Sequence, residues 1–95
     1  MKLRYSRRAQ SELEAISAYL YLRSPSAANA VVQAIEGRIA KLSDSPWIGP
    51  ATDESDTHEL IVVGYPYKIY YRIEGDEVWI IHIRHISRRP WRGED

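Results

Sequence analysis

The chain has 95 residues and 44% hydrophobic side chains, which leaves room for one domain with one core and excludes a second catalytic domain. Thirteen Lys and Arg balance thirteen Asp and Glu, and a net charge of zero weighs against a protein that lives by bulk attraction to nucleic acid or membranes. With no cysteine there is no disulfide framework, zinc ribbon or thiol nucleophile.

Residues 2 to 5 read as a short strand. Ala9, Leu13, Ile16 and Leu20 then recur at three- and four-residue steps, which predicts an amphipathic helix from about Ser6 to Leu22. Ser24-Pro25 is a helix-start signal, because Ser accepts from free first-turn amides and Pro at the first helical position sacrifices no bond. The next helix carries Ala28, Val31, Val32, Ile35, Ile39 and Leu42 as one apolar stripe through about Ser43, with Gly37 expected at a close helix contact. The short link between the helices predicts an antiparallel hairpin. Pro46-Trp47-Ile48-Gly49-Pro50 stops helical structure, and Ala51 to Thr57 is a polar, acidic loop.

From His58 the pattern predicts three antiparallel strands, Leu60 to Val63, Tyr67 to Glu74 and Val78 to His85. A three-residue loop, Gly75-Asp76-Glu77, would pair Glu74 with Val78. Ile69, Tyr71, Ile73, Trp79, Ile81 and Ile83 then share a face that packs on the hairpin. Lys68, Tyr70, Arg72, Glu74, His82 and Arg84 share a partly open, basic and aromatic one. A two-residue turn would put Arg72 opposite Trp79 and mix both faces. The expected fold is α+β, a single domain over 1–95 in the order β-α-α-β-β-β, with the hairpin on a small, mainly antiparallel sheet.

No apolar run of signal-peptide length follows the basic start, and Leu60 to Val63 is too short to cross a bilayer, so the expected location is cytoplasmic. The histidines, His58, His82 and His85, form no metal-ligand spacing, the glycines form no phosphate loop, and neither metal nor cofactor is expected. What remains is a basic cluster, Lys68, Arg72, His82, Arg84, His85, Arg88, Arg89 and Arg92, interleaved with Tyr65, Tyr67, Tyr70 and Trp91. Such a surface suits single-stranded RNA, an acidic and apolar protein, or nothing beyond solvent.

Several segments taken together resemble the RelE/ParE superfamily of bacterial type II toxin–antitoxin modules, in particular its ParE or plasmid-stabilisation branch. They are Tyr5-Ser6 with Ala9 and Leu13, Ile39 and Leu42 followed by Ser45-Pro46 and Gly49, Glu59-Leu60, Tyr65-Pro66-Tyr67 through Tyr70-Tyr71-Arg72, and His85-Ile86-Ser87-Arg88. The resemblance implies a growth-arresting toxin silenced by a cognate antitoxin with an acidic, amphipathic segment. It leaves two activities, ribosome-dependent cleavage of messenger RNA and inhibition of DNA gyrase without cutting, and a third state, a non-toxic antitoxin-binding protein.

For RNA cleavage the matching residues would be Glu59, Lys68, Arg72, His85 and Arg88, with Glu59 and His85 as acid and base and the cations stabilising the phosphate. Ribonuclease members, however, carry basic residues where this chain has Glu59 and Ile61, and an arginine where it has Lys68. Together with the zero net charge, this favours a non-hydrolytic toxin aimed at gyrase. Tyr67, Tyr70, Arg72, His82, Arg84, Arg88 and Trp91 are the candidates for contact with antitoxin or target, with the antitoxin expected over Arg72, Arg84 and Arg88. Branch members often have Arg before the Glu-Leu pair, where this chain has His58.

Overall fold

A computed structural model of the chain describes residues 1–87; Arg88, Arg89, Trp91 and Arg92 lie outside the described residues. In chain order the elements are β1 (Lys2–Tyr5), α1 (Arg7–Tyr21), α2 (Pro25–Ala40), a short 3-10 turn (Lys41–Ser43), β2 (Thr57–Ile61), β3 (Tyr67–Glu74) and β4 (Glu77–His85). The strands form one sheet in the order β1-β4-β3-β2, with β1 parallel to β4 and the other pairs antiparallel.

Both helices start as their sequences dictate. The Ser6 hydroxyl accepts the Ala9 N–H at 3.0 Å and the Ser24 hydroxyl accepts that of Ala27 at 3.2 Å, each satisfying a first-turn amide that has no partner within its helix. The stripe on α2 is the main wall of the core: Ala28, Val31, Ile35 and Ile39 are buried, and Leu42 continues the stripe in the 3-10 turn. Val31, Ile35, Ile39 and Leu42 pack with Leu60, Ile69, Tyr71, Val78, Ile80 and Ile83 from the sheet and with Val62 just beyond β2. On α1, Ala9 is buried, while Leu13, Ile16 and Leu20 only border the core. Gly37 makes no close helix contact; the space where a side chain would stand is open.

The expected three-residue loop between β3 and β4 is wrong. Glu74 pairs with Glu77 across a two-residue turn, Gly75-Asp76, in which Gly75 takes the left-handed conformation (φ +60°) that glycine adopts without strain. The register changes between Tyr70 and Tyr71: Tyr70 faces His82 but Tyr71 faces Ile80, so Ile81 has no opposite number and forms a β-bulge. The bulge shifts the phase of β4 by one residue. Val78, Ile80 and Ile83 therefore enter the core, whereas Trp79 and Ile81, expected there, are only partly buried and lie outside the core cluster. Arg72 does face Trp79, but the bulge prevents the mixing of faces that a regular strand would suffer.

β2 begins at Thr57, earlier than expected, because the preceding loop folds back along its outer edge. Glu59 donates its N–H to the Pro50 carbonyl at 2.9 Å, and Thr52 donates to that of Thr57 at 2.8 Å. The buried Tyr71 fastens this loop. Its hydroxyl donates to the Pro46 carbonyl at 2.8 Å and accepts the Gly49 N–H at 2.9 Å. A Cβ on Gly49 would come within 2.7 Å of both that hydroxyl and the Glu59 carbonyl. His58 stacks on Tyr71 with ring centroids 5.2 Å apart and places Nδ1 2.9 Å from the Gly49 carbonyl.

Removing the hydroxyl leaves two backbone groups without their partner. Tyr71→Phe is expected to lower stability by about 1–3 kcal/mol in urea unfolding, and Gly49→Ala to lower it as well. Wild-type stability in both variants would disprove the fastening.

Candidate functional site

The strand register lines up Glu59, Tyr70 and His82 across three strands on the face turned away from the helices. Lys68 and Arg84 form a second cross-strand pair beside them. Glu59 forms an ion pair with Lys68 at 3.3 Å. The ring of Tyr70 stacks on His82 at 5.7 Å, and burial, then the Glu59 carboxylate to which its hydroxyl is bonded, pushes the Tyr70 pKa above the ordinary tyrosine value. Arg72 is exposed two residues farther along, with Nε 3.4 Å from the Thr57 hydroxyl.

This face was expected to be partly open, and at its centre it is not. Tyr70 and His82 are buried and Arg84 is only 8% exposed. The sheet pattern showed which residues share the face, but not what covers them. One contributor is α1, which takes over as neighbour of β4 where β1 ends. Ser6 donates its backbone N–H to the Ile80 carbonyl at 2.9 Å and its hydroxyl to that of Ile81 at 3.2 Å, and the Glu12 carboxylate accepts the Ile83 N–H at 2.9 Å.

The other Glu12 oxygen lies 2.6 Å from His82 Nδ1 and 3.4 Å from Arg8 Nε. Guanidinium groups of Arg8 and Arg84 approach His82 Nε2 at 3.4 and 3.5 Å. Because guanidinium only donates, the ring nitrogen facing them is the acceptor and the proton belongs on Nδ1, toward Glu12. Sequence reasoning passed over Glu12 and Arg8, although their i,i+4 spacing was visible.

His85 and Tyr67 are on the opposite face. They pair across β3 and β4, meet edge to face at 5.3 Å, and line an open groove of about 390 Å³ against Ile16 and Tyr19 of α1. Ser87 donates both its N–H and its hydroxyl to His85 Nδ1, at 3.1 and 2.7 Å, with that nitrogen as the acceptor. Of the five residues considered for RNA cleavage, Glu59, Lys68 and Arg72 thus share one face, His85 is on the other, and Arg88 is outside the described residues. Among the described residues no group of three His, Asp or Glu side chains could hold a metal ion, and no helix is long and apolar enough to cross a membrane.

The family described as the ParE toxin of the type II toxin–antitoxin system parDE matches residues 3–90. The chain belongs to this family. It is 34% identical over 90 residues to the candidate toxin Y4kP of Sinorhizobium fredii, covering 95% of this chain and 92% of that protein. It is similar to a solved chain of the chromosomal ParDE toxin–antitoxin system of P. aeruginosa, with TM-score 0.80 and 26% identity over 92% of this chain and 97% of that one. A chain of the E. coli RelBE toxin–antitoxin complex shares the fold, with TM-score 0.70 and 15% identity over 92% of this chain and 98% of that one. This is a ParE-type toxin of a toxin–antitoxin system.

The Glu12 contact gives a residue-level test. Glu12→Ala leaves the Ile83 amide without an acceptor and is expected to cost about 1–3 kcal/mol, whereas Glu12→Gln keeps an acceptor and costs less. Hydrogen exchange at Ile83 should accelerate in the Ala variant and stay slow in the Gln variant. Equal exchange in both would contradict the assignment.

Proposed function

We propose that this ParE-type toxin arrests growth by engaging a protein, DNA gyrase, rather than by cutting RNA, and that an antitoxin silences it. The observation that carries the reading is the separation of His85 from the Glu59–Lys68 pair. Metal-free RNA cleavage needs a base for the 2′-hydroxyl and an acid for the leaving oxygen on one substrate-facing surface. Here the carboxylate is held by Lys68 and Tyr70, while the imidazole faces α1 across the sheet and takes its hydrogen bonds from Ser87. Zero net charge is also a poor background for a broad ribosomal footprint.

The groove between α1 and the His85 end of the sheet suits the apolar side of an antitoxin helix, with Tyr67 and Tyr19 in its wall. Tyr70 and His82 are too buried to be primary contacts; of the two described cations of the expected set, Arg84 is only 8% exposed but lines the groove, and Arg72 is the more open to an acidic segment.

Purified toxin added to gyrase should inhibit supercoiling, while ribosome-bound message stays intact, and the protein of the adjacent reading frame should reverse the inhibition. Message cleavage at ribosomal A sites with gyrase unaffected would refute the proposal.

A further inference from the structure

Trp47 is 70% exposed and its neighbour Ile48 is 43% exposed, yet the loop that carries them is fastened to Tyr71 and His58. Pro46 and Pro50 bracket it. Tyr71 bonds both the Pro46 carbonyl and the Gly49 amide, and His58 reaches the Gly49 carbonyl. The Trp47 ring meets His58 edge to face at 5.7 Å, and His58 in turn stacks on Tyr71, so the indole is supported by an aromatic column rooted in the core. A large apolar side chain presented to water gains little for the fold. It is what an interface anchor requires, because most of the ordering entropy is already spent before binding.

The ground beside this knob has a definite charge. A cavity of about 370 Å³ is lined by Ile48, Ser45, Arg38, Lys41 and Asp44, two cations against one carboxylate. Arg38 Nε donates to the Ile61 carbonyl at 3.0 Å, and a guanidinium has further N–H groups beyond Nε. A partner that receives an indole and an isoleucine here would complement the cations with carboxylates at the rim of its own apolar pocket.

The knob is also separate from the groove at the other end of β3. Tyr67 lines the groove and Tyr71 supports the knob, four residues on, or about 13 Å at the rise of a strand. A groove beside a helix accepts a segment, whereas a protruding indole enters a pocket on a folded protein.

We propose that the Trp47–Ile48 knob, flanked by Arg38 and Lys41, is the surface by which the toxin grips its protein target, in an apolar pocket rimmed by carboxylates. This rests on the reading that the toxin acts on a protein. The test uses the full chain with Trp47→Ala, and separately Lys41→Glu, induced in cells and purified with the protein of the adjacent reading frame. Trp47→Ala is expected to raise the expression needed for growth arrest by at least about tenfold, the loss typical of a central Trp anchor, with antitoxin capture and unfolding midpoint unchanged. Lys41→Glu should attenuate arrest more weakly.

Undiminished toxicity of Trp47→Ala would overturn the proposal, and so would a folded Trp47→Ala that has also lost the antitoxin. If Trp47→Ala fails to fold, Lys41→Glu decides, and its full toxicity overturns the proposal. A parent chain that arrests growth by cutting message refutes the gyrase reading and the protein-target assignment with it. A toxic parent that spares both message and gyrase refutes only the choice of gyrase, and the Trp47 comparison still decides the surface.

Discussion

β4 changes phase at Ile81, and the rest of the molecule is arranged around that change. Before the bulge its neighbour is β1, and Val78 and Ile80 point into the core; after it the core residue is Ile83 and the neighbour is α1. A regular strand would have to leave either the first half or the second half of its apolar residues in water, because a one-residue slip turns every side chain over. The bulge lets both halves bury their apolar residues and leaves the strand edge at Ile81 and Ile83 to be satisfied by Ser6 and Glu12 of the helix end.

The same phase change decides which residues can work together. Tyr70 and His82 remain paired on the outer face with Glu59, Lys68 and Arg84, and Glu12 reaches round the strand edge to join them as a partly buried polar network. Such a network stabilises the structure only while each group keeps its partner. Through Glu12 it binds α1 to the sheet. His85, three residues past His82, belongs to the groove on the other side.

The helices were legible from apolar stripes of helical spacing, joined at the second helix by the Ser24-Pro25 start signal; the Ser6 cap of the first was not read. The strands were legible in number, order and approximate extent. The phase within β4 was not, because a bulge leaves no mark in composition. In the sequence it shows only as two rival loop lengths, the longer fitting Tyr67 to Tyr70 and the shorter fitting Tyr71 to Glu74. The contacts of Glu12 with β4 and of Tyr71 with the Pro46–Pro50 loop join positions far apart in the chain, which periodicity does not encode. That loop could be read from its prolines as the end of a helix, but its support by His58 and Tyr71 could not.

Cross-strand nuclear Overhauser contacts in the free toxin test the central claim most directly, since the phase of β4 fixes both the core and the split of the polar residues. Contacts between the α-protons of Tyr71 and Ile80 or between Arg72 and Trp79, together with contacts from the His85 ring to Tyr67 and Ile16, are the predicted result. Pairing of Glu74 with Val78, or contacts from the His85 ring to Glu59 and Lys68, would contradict it.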